Sequence, residues 1–289
     1  MRAALAAVGA AAALATTGAA EAAPAMWVVR DADSEIFLFG TMHALKPGAD
    51  WRTPAYEAAY QKAEAVWFEA VVDPIEPGVI SGLVERYGVD RERPLSSRLS
   101  PRQLKDLEAV LAEGELTVAK IDHLRPWAAA LVLSMQPVRG GGASVEAGAD
   151  MVVTRQARQA QKPIRAFETM EDQVRMFAGL PPEVELQYLV DVIAERRGKG
   201  VRKGSHADAW IRGDVGRLGK GVVGAMQSDM PQFYDALLKR RNHAWAEALS
   251  DQMAGEGVQL VNVGALHLLG DDGLPALMKA RGYQVERIQ

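Results

Sequence analysis

The sequence predicts an α/β protein that is rich in helix, with a small, mainly parallel sheet and a helical insertion. Three observations carry this. Short apolar runs that alternate with helical patterns recur near both ends of the chain. The stretch from about residue 75 to 160 is almost wholly helical in pattern. Four of the apolar runs break off at a glycine or a glutamate, as strands do when they reach the edge of an open sheet.

Trp27–Arg30 and Ile36–Phe39 flank the cluster Asp31-Ala32-Asp33-Ser34 and predict a hairpin. Thr53-Pro54 opens a helix, with Thr as N-cap and Pro at the first helical position, and Tyr56, Ala59, Tyr60 and Ala63 share one side of it. Ala65–Phe68 is a buried strand ending at Glu69. Ser100-Pro101-Arg102-Gln103 is a capping box, and Pro126 starts a further helix. Val145–Gln159 reads as one helix, Ile164–Phe167 as a strand ending at Glu168, and Thr169 to Asp172 as a variant capping box that starts the next helix at once. Glu183–Arg197 and Pro231–Met253 are helical. Gln259–Val263 is a strand running into Gly264, Asp272–Ala280 a short helix, and Tyr283–Ile288 a last strand.

Composition excludes several classes. A 289-residue chain with 48% hydrophobic and 24% charged residues has ordinary globular usage. A net charge of −4 without a long basic run argues against nucleic acid and anionic membrane surfaces as partners. The absence of cysteine removes disulfides, zinc fingers, Cys nucleophiles and thioredoxin chemistry. P-loop, dinucleotide Gly-x-Gly-x-x-Gly, His-Glu-x-x-His and Gly-x-Ser-x-Gly motifs are missing too.

Residues 1–23 read as a signal peptide: Arg2, an Ala-rich stretch from Ala3 to Ala15, then small residues around Ala20-Glu21-Ala22. That stretch is too weakly apolar for a membrane span. The expectation is an exported, periplasmic protein of one domain, 24–289, with no stable membrane insertion after cleavage.

The chemistry is expected where the four strands end. Phe37–Phe39 leads to Gly40, Thr41 and His43; Val66–Phe68 to Glu69; Ile164–Phe167 to Glu168; Leu260–Val263 to Gly264 and His267. Open α/β sheets bind ligands beyond the carboxyl ends of their strands, so parallel packing would bring two imidazoles and two carboxylates together. With 27 glycines and five histidines, chance gives only roughly half a Gly-x-x-His match; the strand context of the two observed adds weight. Such a set suits a divalent ion that activates water, or a histidine base oriented by a glutamate without metal.

Arg241 falls within the stripe Phe233, Leu237, Arg241, Trp245, Leu249, on the apolar side of its helix. There it either meets an anion, from Glu69, Glu168 or a substrate oxyanion, or reaches out to the rim. Asn242 beside it is a poor helix former and is expected to make a specific bond. His123, His206 and His243 are expected at the surface, the tryptophans 51, 67, 127, 210 and 245 in the core, and Asp150 as an ordinary helix residue in preference to an acid behind the site.

Taken together, Phe37 to Leu45 with Trp51, the strand ending at Glu69, Pro126-Trp127, Phe167 to Gln173, Arg241-Asn242 with Trp245, Val263 to Gly270 and Gly282-Tyr283 resemble the TraB/GumN family over nearly the whole mature chain. One departure is Phe167, where an aliphatic residue is commoner. The resemblance implies a fold related to Tiki proteases, erythromycin esterases and ChaN. By analogy with Tiki, His43, Glu69 and His267 would hold Mn, Co or Zn in a metal-dependent peptidase. Esterase-like members imply a metal-free His/Glu site, and ChaN-like members imply haem binding. The expected function is a periplasmic hydrolase acting on a peptide or small molecule, with a non-catalytic peptide or haem binder as the alternative. In this scheme Arg241 stabilises an oxyanion or fixes a carboxylate, while Gly40, Thr41, Glu168, Asn242 and Gly264 support the site or its substrate.

Overall fold

The computed structural model describes residues 22–71, 78–135, 142–198 and 206–289. Most of the stretch read as a signal peptide, 1–21, lies outside them, as do most of the basic turn 198–204 and two of the three glycines 140–142.

Six strands form one sheet: β1 (Met26–Arg30), β2 (Ser34–Thr41), β3 (Ala65–Phe68), β4 (Ile164–Ala166), β5 (Gly257–Gly264) and β6 (Gln284–Arg287). Their order is β4-β3-β5-β2-β1-β6. The sheet is mixed. β4, β3, β5 and β2 run parallel, whereas the hairpin partner β1 and the last strand β6 are antiparallel additions at one side. β2, β3 and β5 are largely apolar because both of their faces are covered, whereas β4 at the edge is partly exposed.

Helices α1 (Pro54–Lys62), α2 (Gly78–Tyr87), α3 (Pro101–Glu113), α4 (Val118–Ile121), α5 (Pro126–Met135), α6 (Ala149–Gln159), α7 (Met170–Ala178), α8 (Pro182–Arg196), α9 (His206–Ile211), α10 (Gly224–Asp229), α11 (Pro231–Tyr234), α12 (Arg240–Met253) and α13 (Leu274–Ala280) complete the chain. The capping residues read from the sequence act as expected. Thr53 accepts from the Tyr56 N–H, and both Ser100 and Thr169 form reciprocal capping boxes. One sheet face packs on α1, α6 and α9 through Phe39, Tyr56, Val153 and Trp210. The other packs on α12 and α13 through Leu38, Val261, Trp245 and Met278. A separate apolar core, with Leu107, Trp127, Val174 and Leu189, binds α3, α5, α7 and α8 into a helical body. That body draws on residues on both sides of β4, and α6 belongs to the sheet.

Two helices differ from the sequence reading. Val145–Gln159 is interrupted at Gly148: a 3-10 turn, Val145–Ala147, precedes α6. A Cβ at Gly148 would stand 2.2 Å from the His43 carbonyl oxygen, so the helix can lie against the strand loop only with glycine there. Pro231–Met253 is not one regular helix, because Asp235–Lys239 form a π turn between α11 and α12. Periodicity does not reveal such a turn, since the side chains keep a helical succession. Among the described residues no helix is long and apolar enough to cross a membrane.

Candidate active site at the carboxyl edge of the sheet

Register brings the strand ends level. Thr41 pairs with Gly264, and Phe68 pairs with both Asn262 and Ala166. The next residues of each strand therefore emerge over one edge. His43 and Glu69 follow β2 and β3, Glu168 follows β4, and His267 lies on the 3-10 turn Ala265–Leu268 after β5.

The two glycines are needed for close approach. A Cβ on Gly40 would come within 2.9 Å of Ala265 Cα, while its carbonyl accepts the Trp210 indole N–H at 2.6 Å. A Cβ on Gly264 would lie 3.0 Å from Glu69 Oε1, 3.5 Å from His43 Nε2 and 3.7 Å from His267 Cδ2. Glu69, His43 and His267 therefore converge closely over Gly264, where any side chain would crowd Glu69. Thr41 is buried there at the strand end, and its hydroxyl has no hydrogen-bond partner.

Arg241 lies at the centre of the charge arrangement and is buried. Its Nε donates to Glu168 at 2.9 Å, and its Nη2 to Glu69 Oε2 at 2.7 Å and to Glu168 Oε2 at 3.0 Å. Its Nη1 donates to the Leu237 carbonyl at 2.9 Å and stands 3.2 Å from His267 Nε2. A guanidinium has five N–H groups, and all five have protein partners. The Leu237 carbonyl comes from the π turn, where the backbone N–H of Arg240 reaches back five residues to Asp235. The wider turn leaves a carbonyl for the side chain to use. Trp245 closes the arrangement: its indole N–H donates to Glu168 at 3.0 Å, and its ring lies 4.6 Å beneath the guanidinium. Phe167 stacks on Trp245 and Trp67, a packing role that an aliphatic residue would fill less well.

The two imidazoles have opposite settings. His267 is buried, and its Nδ1 donates to Asn242 Oδ1 at 2.5 Å. Asn242 is itself held by its donation to the Asp272 carbonyl at 2.7 Å. Burial, with Arg241 and His43 adding to it against the pull of Glu69, lowers the His267 pKa to about 3, so the ring is neutral. His43 is exposed at the mouth, and its Nδ1 is 3.3 Å from Asp150 Oδ1. Desolvation works against its charge, but Asp150 and then Glu69 outweigh it and raise the pKa to about 9. Burial alone would raise the Glu69 carboxyl. His267, Arg241, His43 and the Gly264 N–H, which donates at 2.7 Å, together hold it well below the usual carboxylate range.

The structure thus brings His43, Glu69, Glu168, Arg241, Asn242, Gly264 and His267 together, with Gly40 and Thr41 directly beneath. Two further residues were not read from the sequence as part of it. Asp150 is a residue of α6, as expected, and is also the partner of His43: its position in the first turn aims it at the loop after β2. Gln173, on the first turns of α7, donates to Glu69 Oε2 at 3.3 Å, and nothing in its local pattern marks it. His243 is exposed, whereas His123 and His206 are half-buried.

His43, Glu69 and His267 do not fit a metal ion as they stand. Among the described residues no group of three or more His, Asp or Glu is placed to hold one. The lone pair of His267 Nε2 faces the Arg241 guanidinium, and both Glu69 oxygens accept N–H groups. A divalent ion would also lie against that fixed positive charge.

The family model described as TraB/PrgY/gumN matches residues 25–287. A protein named uncharacterized protein YbaP from Escherichia coli (strain K12) is 26% identical over 185 residues, covering 64% of this chain and 68% of the relative. The protein of the same name from Shigella flexneri matches to the same extent. No solved structure gives a significant match.

Proposed function

The chain belongs to the TraB/PrgY/gumN family, and we propose that its sheet-edge site is a hydrolytic centre whose substrate is a peptide. The observation that carries this reading is the convergence of Glu69 Oε1 and His43 Nε2 over Gly264. A water held between them donates one hydrogen to Glu69 Oε1, which leaves its second for His43. Asp150 Oδ1 stands 3.3 Å from His43 Nδ1, and Nε2 is the ring atom nearer Gly264, the side on which a general-base imidazole beside a carboxylate acts. Neutral His43 takes the proton as the water oxygen adds to the scissile carbonyl carbon. The imidazolium then returns it to the leaving amine as the C–N bond breaks. Arg241 has no donor left for an oxyanion, so its part is to position Glu69 and His267. Glu168 and Asn242 do the same one step further out. Export, read from residues 1–23, belongs to the same proposal.

A metal-bound form is the second reading. What favours it is that His267 is fixed at Nδ1 by Asn242 and His43 has Asp150 beside its Nδ1, an arrangement that partner groups give to metal-binding histidines. It requires Arg241 to release His267. The deciding experiment is cleavage of a quenched-peptide library by the purified protein before and after chelation, beside His43→Ala, with metal content measured. Cleavage that survives chelation and is lost in His43→Ala supports the metal-free centre. Cleavage lost on chelation and restored by Mn, Co or Zn moves the assignment to the metal form. No cleavage by the wild type, with or without metal, removes hydrolysis in favour of a binding protein.

A further inference from the structure

A groove lies beside the candidate centre and is not used by the chemistry above. Its walls are Phe177, Tyr188, Met226, Met230, Phe233 and Leu237. Two helices lead into it from the site. On α7, Gln173 touches Glu69 and Phe177, four residues on, lines the groove. On the other side, Arg241 touches Glu69 and Leu237, four residues back, lines the groove, while Arg241 Nη1 binds the Leu237 carbonyl. Residues four apart share a helix face, so both helices present one residue to the centre and the next one along to the groove. The groove therefore begins about one helical turn, ~5 Å along each helix, beyond the two residues that touch Glu69.

Its chemistry is specific. Phe177, Tyr188 and Phe233 stack on one another, with ring centroids 5.8 and 4.8 Å apart along the series. Met226 and Met230 line the same groove, and unbranched thioethers adapt to differently shaped apolar groups. Asp191, Glu195 and Asp229 line the same groove, and among the described lining residues there is no lysine or arginine. An apolar floor below a carboxylate rim is complementary to an apolar side chain borne on a cationic chain.

We infer that this groove is the specificity subsite of the centre, taking an aromatic or large aliphatic side chain of a peptide that carries lysine or arginine beside it. The inference rests on the hydrolase reading for its place next to the scissile bond, but binding can be measured without cleavage. The probe is the fluorescein-labelled peptide Lys-Lys-Phe-Leu-Lys, compared with Ser-Ser-Ala-Ala-Ser by fluorescence anisotropy on the full chain. Wild type and Met226→Lys are measured, with a thermal melt of each to confirm folding. Val192→Lys serves as a second wall variant. The expected result is binding of the cationic, apolar probe at least tenfold tighter than the polar one, and a tenfold loss in either folded wall variant. Equal affinity for the two peptides, or unchanged affinity in both variants, overturns the inference. Tight probe binding without cleavage leaves the groove standing and removes the hydrolase. Cleavage of both peptides with the same KM in wild type and variants keeps the hydrolase and removes the groove. Probe affinity that rises tenfold when Lys199, Arg202 and Lys203 are all changed to Ser would make the chain's own basic stretch the occupant and overturn the assignment to substrate.

Discussion

Arg241 Nη1 stands 3.2 Å from His267 Nε2, and this contact fixes where the imidazole keeps its hydrogen. A guanidinium only donates, so Nε2 presents its lone pair and Nδ1 carries the hydrogen to Asn242. Charge placement, ring tautomer and helix geometry are thus coupled through one side chain.

Arg241→Ala is expected to destabilise the fold by about 3–5 kcal/mol, because it leaves two carboxylates buried without their cation. Denaturant unfolding measures this. Adding Glu168→Gln should recover part of the loss, and a simple sum of the two single effects would show that the groups are not coupled.

Asn242→Leu removes the acceptor for His267 Nδ1 and the donor to the Asp272 carbonyl. An unsatisfied buried group costs about 1–3 kcal/mol, so a loss of that order is expected from the same unfolding curves. A variant as stable as the wild type would mean that His267 is held by other contacts.

Gly264 has φ −50° and ψ 134°, which alanine adopts without strain. Gly264→Ala should therefore keep its backbone, but a methyl 3.0 Å from Glu69 Oε1 crowds that carboxylate and is expected to cost about 1–3 kcal/mol. Its methyl would push Glu69 Oε1 from its place beside His43, so turnover in the cleavage assay should fall by roughly 10²-fold. Full activity would place the attacking water elsewhere.

The two histidines give stability opposite pH limbs. His43 is raised from an ordinary value of 6.5 to about 9, so its contribution is complete below 6.5 and disappears as pH rises through 9. His267 is lowered to about 3, so its neutral ring costs stability progressively as pH falls from 6.5 towards 3, where the unfolded chain binds a proton and the folded one does not. NMR titration of the ring carbons reads both. If His43 is the base, kcat/KM rises with pH up to about 9, and Asp150→Asn moves that limb to lower pH. An unmoved limb would separate Asp150 from the chemistry.

Much of this was legible in the sequence, for identifiable reasons. Strands that end in glycine or glutamate are a local pattern, and parallel registration turned four such ends into one site. Arg241 could be singled out because a charge on an apolar stripe requires partners. Asp150 and Gln173 could not, since each reaches the site through the packing of its helix and carries no unusual neighbour in the chain. The π turn before Arg241 was equally silent, because hydrogen bonding one residue longer leaves the order of apolar side chains intact. The mixed character of the sheet came from strands at its antiparallel side, where alternation does not reveal direction.

The position of β5 has a consequence for how the molecule comes into being. It lies between β3 and β2 yet comes from the far end of the chain, and Gly264 meets Glu69 across 195 residues of sequence. During synthesis the earlier strands can appear and the helical body can gather, but the gap between β3 and β2 stays open until the C-terminal part arrives. Ordering over such separations is slow, because loop closure precedes the contacts that reward it. Until then Glu69 lacks both Arg241 and the Gly264 N–H. The side-chain cluster at the strand ends therefore assembles in the same event that completes the sheet.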